Sequence, residues 1–280
     1  MNYIDLHTHS VFSDGTFTPS ELIERAKALG LSAIALTDHD TIDGLSEAIE
    51  ASKRLNIEFI NGVEIAADYK DTEIHIVGLL FDRTSTILSD SLLEMEKRRE
   101  IRNKELVLLF NEEGIKMKYE DILNKSDGKI ITRAHFARFL MEEGYVESIN
   151  DAFLKYLSPG KKTYMKRELL SSLDAIELIH KAGGIAVLAH PGEYGFSEKQ
   201  LEEMVHELKK QNIDAIEAIY TTNSIYTESF HRDLAKRYHL KISGGSDFHG
   251  SNKPEIELGK GFGNLKIPYE ILNKLRDRAL

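Results

Sequence analysis

The chain has no cysteine among its 280 residues. That excludes disulfides, thiolate metal sites and cysteine nucleophiles, so any metal must be held by His, Asp or Glu. No apolar run approaches the roughly 20 residues of a membrane-spanning helix, and no membrane partner is expected. Nor does a basic-then-apolar leader open the sequence, so a cytoplasmic location is the expectation. Basic charge is in deficit: 36 Lys and Arg against 46 Asp and Glu give a formal net charge of −10. A broad grip on long duplex nucleic acid needs a basic surface and is not expected. A small phosphorylated substrate remains open, because bound cations can reverse the field locally.

What is present is a soluble globular composition, 41% hydrophobic and 29% charged. Short apolar runs read as strands between helical patterns. YIDL (3–6), AIALT (33–37), FINGVEI (59–65), EIHIVGLLF (73–81), IAVLAH (185–190), DAIEAIY (214–220) and LKISGG (240–245) are the strands. PSELIERAKALG (19–30), GLSEAIEASKRLN (44–56) and similar stretches are the helices. Such alternation predicts an α/β fold with a largely parallel sheet, and the strand count suits a distorted barrel. Residues 84–160 are helical in pattern without a convincing strand. They predict a helical insertion covering the active site, between barrel segments 1–83 and 161–280.

The strand ends carry the chemistry. His7 and His9 follow YIDL, and Asp38, His39 and Asp40 follow AIALT. Glu64 lies in the third run, and His75 alternates with Val77 and Leu79. His190 ends IAVLAH, while Asp247 and His249 follow LKISGG. His-x-His on a strand aims two imidazoles the same way, since side chains alternate with period two. Alone the pattern is weak, and Asp14 in SDGT suits a plain turn. Histidines recurring at four predicted strand ends, mostly beside a carboxylate, instead predict convergence on a metal site at one face of a barrel. His180, His206, His231 and His239 fall on helices or their ends and read as surface or packing residues. Asp38 could orient an imidazole or act as general acid, and Asp40 could equally cap the next helix. In KIITRAHFARFL, Thr132 is a plausible N-cap that places Arg133 and His135 in the first helical turn and Arg138 one turn on, a candidate phosphate site. EKRREIRNK (96–104) reads as a solvated helix face.

The set IDLHTHSVFSDGTFTP, ALTDHDTIDG, INGVEI, EIHIVGL, LAHPG and SGGSDFHG resembles the PHP (polymerase and histidinol phosphatase) family, and within it the stand-alone bacterial phosphoesterases. The resemblance implies a distorted (β/α)7 barrel, an α/β fold, holding two or three divalent metals. His7, His9 and Asp247 would hold one, and Glu64 would bridge to a second completed by His75 and His190. Asp14, His39 and His249 would hold the third. Mixed imidazole and carboxylate ligands suit Mn, Fe or Zn. A water shared by two such cations loses its proton near neutral pH and can attack a phosphate ester, with Asp38 and His249 as candidate catalytic groups. The stand-alone relatives imply nucleoside 3′,5′-bisphosphates and the 5′ ends of short RNA as substrates. The alternatives are histidinol phosphate, a non-catalytic metal-stabilised interaction module, and an amide substrate. Oligomeric state is not legible.

Overall fold

The computed structural model describes residues 2–125 and 131–277. Among the described residues nine strands form one sheet: β1 (Tyr3–Asp5), β2 (Ala33–Leu36), β3 (Glu58–Tyr69), β4 (Thr72–Leu79), β5 (Leu170–Ser171), β6 (Ile185–Leu188), β7 (Ala215–Tyr220), β8 (Lys241–Gly245) and β9 (Ile267–Pro268). Their order is β8-β7-β6-β4-β3-β2-β1-β9, with β5 paired to β3. The two sides nearly meet. Leu6 N–H donates to Gly244 O at 3.3 Å, Asp247 N–H to His7 O at 2.9 Å and His9 N–H to Phe248 O at 3.0 Å. The expected distorted α/β barrel is the observed architecture.

The sheet is less parallel than expected. β4 runs antiparallel to both β3 and β6. The cause is the turn between β3 and β4, where Lys70 and Asp71 take φ of 49° and 67°. Two successive left-handed residues make a tight hairpin, which can join only antiparallel strands. Because β4 is reversed, its N-terminal half lies at the end where the parallel strands finish. His75, paired with Ala66, therefore comes level with Glu64, paired with Val77.

Alternation sorts the strand residues. Ile4, Ala33, Ala35, Ile60, Val77, Leu79, Val187 and Ala215 form one cluster that fills the lumen, closed below by Ile271, Leu272 and Leu275. Val63, Ile65, Ile74, Ile76, Ala186 and Leu188 face the other way, against the surrounding helices. Those helices are α1 (Pro19–Ala28), α2 (Leu45–Leu55), and, after a helical segment between β4 and β5, α7 (Ser172–Lys181), α8 (Glu198–Lys210) and α9 (Ile225–Arg237), whereas α10 (Glu270–Arg276) carries the residues that close the lumen. Thr18 caps α1 by accepting from Glu21 N–H while Glu21 returns a bond to Thr18 N–H.

The segment between β4 and β5 holds α3 (Thr86–Glu112), α4 (Tyr119–Lys125), α5 (Arg133–Glu142) and α6 (Ile149–Ala152). It has a core of its own, with Phe110 stacked on Phe136 at 6.0 Å and Leu106 and Leu140 in the same cluster. One expectation fails here. Within EKRREIRNK, Arg99 and Arg102 are buried, while Ile101 and Leu108 on the same helix are exposed. The inward stripe of α3 carries these two guanidinium groups, while Glu96, Lys97, Arg98, Glu100 and Lys104 are the solvated face expected. Among the described residues, no helix is long and apolar enough to cross a membrane.

Closure depends on Gly245. A Cβ there would lie 2.1 Å from His7 Cβ. Gly245→Ala is expected to lower Tm by on the order of 5–10 °C, the cost of overpacking a rigid seam. Gly192→Ala, whose Cβ would meet nothing closer than 3.4 Å, should leave the melting curve nearly unchanged.

Candidate metal centre

The centre begins with His7 and His9, just past β1. Thr8 between them is pinned into the neighbouring ladder: its N–H donates to Thr37 Oγ1 at 3.1 Å and its hydroxyl to Ala35 O at 2.6 Å. Both imidazoles are thereby turned the same way. Glu64 lies opposite. Its Oε2 is 3.4 Å from His7 Nε2, 3.3 Å from His9 Nε2 and 3.0 Å from His39 Nδ1. Its Oε1 is 2.9 Å from both His75 Nδ1 and His190 Nε2. Asp247 Oδ1 lies 3.5 and 3.2 Å from His7 and His9 Nε2. Asp14 faces His249 Nε2 at 3.2 Å and His39 Nε2 at 3.6 Å. All nine residues predicted as ligands thus gather at one end of the barrel.

The arrangement can hold cations. Buried His7 Nε2, His9 Nε2, Glu64 Oε2 and His190 Nδ1 make no hydrogen bond. Leaving such atoms unsatisfied costs about 1–3 kcal/mol each, and a bound ion would satisfy them. Three groups bring their ligand atoms within 4.8 Å: His9, Asp14, His39 and His249; His7, His9 and Glu64; and His39, Glu64 and His75. His39 faces Glu64 as well as Asp14, a sharing that the resemblance did not imply.

Charge is balanced inside the cluster. Burial favours a neutral Glu64, but the imidazoles of His75, His39 and His7 outweigh it and hold the carboxyl well below its usual range. Burial likewise opposes a proton on His9, yet the carboxylates of Asp247 and Glu64 within 3.3 Å raise its pKa to about 9. Divalent cations would take over this role and release those protons.

Groups behind the cluster set its tautomers. Glu217 Oε1 lies 3.1 Å from His7 Nδ1, and its Oε2 accepts His190 N–H at 2.8 Å. The carboxylate therefore fixes the proton on Nδ1 and turns the His7 Nε2 lone pair inward. His249 Nδ1 faces Asp247 O at 2.8 Å, which points its Nε2 lone pair at Asp14. Asp5 accepts from Ser246 N–H and Oγ, Gly259 N–H and His7 N–H, and burial still lifts its pKa to about 6.

Two cavities open on this cluster. One, of about 130 Å³, runs from Asp14, His39 and His75 to Arg99, Arg102, Arg133 and Arg167. The second, of about 200 Å³, is lined by His190, Glu193, Tyr220, Asp247 and Lys253, and shares His39 and His75 with the first. A larger cavity of about 400 Å³ lies between His180, Asp214, His239 and Lys241 and includes no residue of the cluster.

The other predicted residues divide. Arg133 lines the arginine cavity and reaches Glu73 at 3.5 Å. Thr132 is the N-cap of α5 as expected, but His135 is its reciprocal partner: His135 Nδ1 accepts Thr132 N–H at 3.0 Å. Arg138 donates to Asn252, whose amide donates to Asp14 O at 2.6 Å. Neither His135 nor Arg138 lines the cavity. Asp38 lines neither cavity: it accepts Ser10 N–H, Ser10 Oγ and Ser13 Oγ, each at 2.7 Å. Ser13 Oγ is 3.5 Å from His9 Nδ1, so the geometry matches the orienting role considered for Asp38 rather than acid catalysis. Asp40 caps no helix. It accepts Ala66 N–H at 3.0 Å and pairs with Arg99 and Arg167.

Sequence reasoning missed Glu217, Asp5, Arg99, Arg102, Arg167, Tyr220 and Lys253. Glu217 and Asp5 did leave a signal, a lone carboxylate inside an apolar strand. The arginines left none. Of the four control histidines, His180 pairs with Asp214 at 2.7 Å and His206 packs on Tyr238. His231 is buried, and burial pushes its pKa down to about 4.

With this geometry in place, the comparisons decide the family. The model of the PHP domain matches residues 5–228. The chain belongs to the PHP family. It is 40% identical over 91% of its length to a 5′-3′ exoribonuclease of Haemophilus influenzae, covering 93% of that protein. It is 35% identical over 92% of its length to a 3′,5′-nucleoside bisphosphate phosphatase of Chromobacterium violaceum, covering 91% of it. Among solved structures, an amidohydrolase of Chromobacterium violaceum with bound sulfate and no metal superposes with a TM-score of 0.89 at 35% identity. That superposition covers 99% of this chain and 96% of the other.

Two outcomes follow. Adding Mn to chelator-treated protein should raise Tm, since an ion bound only by the folded state stabilises it, and Glu64→Ala, which leaves the group of His9, Asp14, His39 and His249, should reduce the rise. For His231, the folded pKa lies below the unfolded value of about 6.5, so the unfolded chain takes the proton first. Stability from this group is full above about pH 6.5 and is lost as pH falls towards 4. Chemical denaturation across that window should show His231→Gln to be less acid-sensitive than the parent by up to about 2–3 kcal/mol.

Proposed function

We propose that this chain is a metal-dependent phosphoesterase that removes phosphate from nucleoside 3′,5′-bisphosphates and trims short RNA from its 5′ end. The observation that carries the reading is the arginine cavity beside the ligand cluster. A monophosphate needs one anion site, whereas a substrate with two phosphates needs a second one nearby.

In the arginine cavity, Asp40 occupies Arg99 and Arg167, and Glu73 occupies Arg133 and Arg167. Arg102 differs. It is buried, and its Nε has no partner among the described residues. Burial, then the neighbouring Arg167 and Arg133, pushes its pKa down to about 9. A phosphate dianion there would satisfy Arg102 and relieve that repulsion. Histidinol phosphate would bring an ammonium group into the same arginines. That disfavours it.

We assign the metals, two or three of Mn, Fe or Zn, to His7, His9, Asp14, His39, Glu64, His75, His190, Asp247 and His249. When bound, they would supply Lewis acidity and acidify water at the scissile phosphate. The chain's own residues do the positioning. Glu217 and Asp247 O hold His7 and His249 in the tautomers that face the centre. Asp38 and Ser13 steady the loop behind His9. Segment 84–160 is assigned as the specificity unit over a barrel of 1–83 and 161–280, because α3 and α5 deliver Arg99, Arg102 and Arg133.

Steady-state hydrolysis of adenosine 3′,5′-bisphosphate, 3′-AMP and histidinol phosphate with Mn tests the reading. The bisphosphate should be preferred, and Arg102→Met should lower its kcat/KM by about 10–100-fold, the worth of a charge-assisted bond. Equal rates for 3′-AMP, or a preference for histidinol phosphate, would reject it.

A further inference from the structure

The second cavity has no part in that account. A bisphosphate with one phosphate at the ligand cluster and the other at Arg102 leaves the space between Glu193, Tyr220 and Lys253 unused. The cavity reaches the same cluster, meeting the arginine cavity at His39 and His75. It is also charged. Lys253 Nζ reaches Asp247 Oδ2 at 2.6 Å, and Tyr220 donates to the same oxygen at 2.8 Å. Thr222 donates to Glu193 and ties the loop after β7 to the cavity wall.

The two substrate classes share one substructure. A nucleoside 3′,5′-bisphosphate carries a phosphate on O3′ and another on O5′. The first nucleotide of a 5′-phosphorylated RNA carries the same pair, except that the phosphate on O3′ is esterified to the next nucleotide. A single binding mode serves both if that extra substituent has a way out.

We propose that the cavity of Glu193, Tyr220 and Lys253 is the subsite for the nucleotide downstream of the scissile phosphate. This inference rests on the phosphoesterase reading above. The 5′-phosphate sits at Arg102 and the phosphate on O3′ at the ligand cluster. The downstream nucleotide enters the second cavity, past Lys253 where it pairs with Asp247 at the edge of the cluster. Water attacks phosphorus, the P–O3′ bond breaks and O3′ takes up a proton to become the free 3′-hydroxyl. The phosphate stays with the downstream part, giving inorganic phosphate from a bisphosphate and a 5′-phosphorylated, shortened chain from RNA. That product again carries the group that Arg102 recognises, so trimming can repeat. Glu193 opposes a long polyanion at the exit, which fits short RNA.

The dinucleotide pApU, with a 5′-phosphate, tests the assignment on the full metal-loaded chain. The expected products are AMP and UMP; adenosine 3′,5′-bisphosphate and uridine would overturn the polarity. Glu193→Trp, a bulky change at an exposed position, should lower the ratio of kcat/KM for pApU to that for adenosine 3′,5′-bisphosphate by about tenfold or more. If the parent hydrolyses the bisphosphate but not pApU, or if Glu193→Trp leaves the ratio unchanged, the subsite is wrong while the phosphoesterase reading stands. If the parent leaves the bisphosphate intact, that reading falls and the subsite with it.

Discussion

The structure turns on one buried carboxylate. Glu64 is almost wholly inaccessible, and nitrogens of His7, His9, His39, His75 and His190 lie within 3.4 Å of its oxygens. Removing a carboxylate from water costs several kcal/mol even after relaxation, so it is kept charged only if positive charge surrounds it. Those imidazoles come from four different stretches of chain. Each must reach the same point, and the barrel is the device that brings them there. Reversal of β4 belongs to that requirement, since a parallel β4 would carry His75 to the far end of the lumen.

The helical segment reaches this centre through ion pairs and hydrogen bonds, while Leu88 and Leu92 of α3 anchor its base in the barrel core. Arg99 of α3 and Arg167 before β5 converge on Asp40, the neighbour of His39. Arg138 of α5 reaches Asn252, which holds the backbone of Asp14. Buried ion pairs of this kind add little net stability, because desolvation cancels most of the attraction. Their geometry is strict, however. A shift of α3 would take Arg99 away from Asp40 and leave Arg167 as its cationic partner, so the position of Arg102 over the centre is tied to the loop that presents His39 and Asp40.

This division explains what could be read from the sequence. Most of the candidate ligands were legible because they follow or interrupt an apolar run, and a polar residue at a fixed phase of a strand has a known direction; Asp14, in a turn, came only from the resemblance. His7, Glu64, His75 and His190 announce themselves that way, and Glu217 would have done so under the same rule. The arginines of α3 could not. Helical phase is read from apolar residues, yet Ile101 and Leu108 point outward while Arg99 and Arg102 point in. The stripe that matters has the composition of a surface, and only the partners waiting across the interface, Asp40 and the cavity, reveal it. His135 misled for the opposite reason: a histidine in the first turn suits an anion site and a capping box equally well, and α5 uses it as a cap.

Charge then reconciles an acidic chain with an anionic substrate. The net charge of −10 is a property of the whole surface, and within a Debye length of about 8 Å at physiological salt only local charge acts on a ligand. In the arginine cavity, Asp40 and Glu73 leave an excess of guanidinium that low dielectric makes felt at short range. Outside it, the acidic surface repels a polyanion. An RNA chain therefore gains from each phosphate that enters a cavity and loses from each that lies on the exterior. The balance favours ligands whose phosphates number no more than the sites inside, which is a physical reason for preferring a bisphosphate or a short chain over a long one.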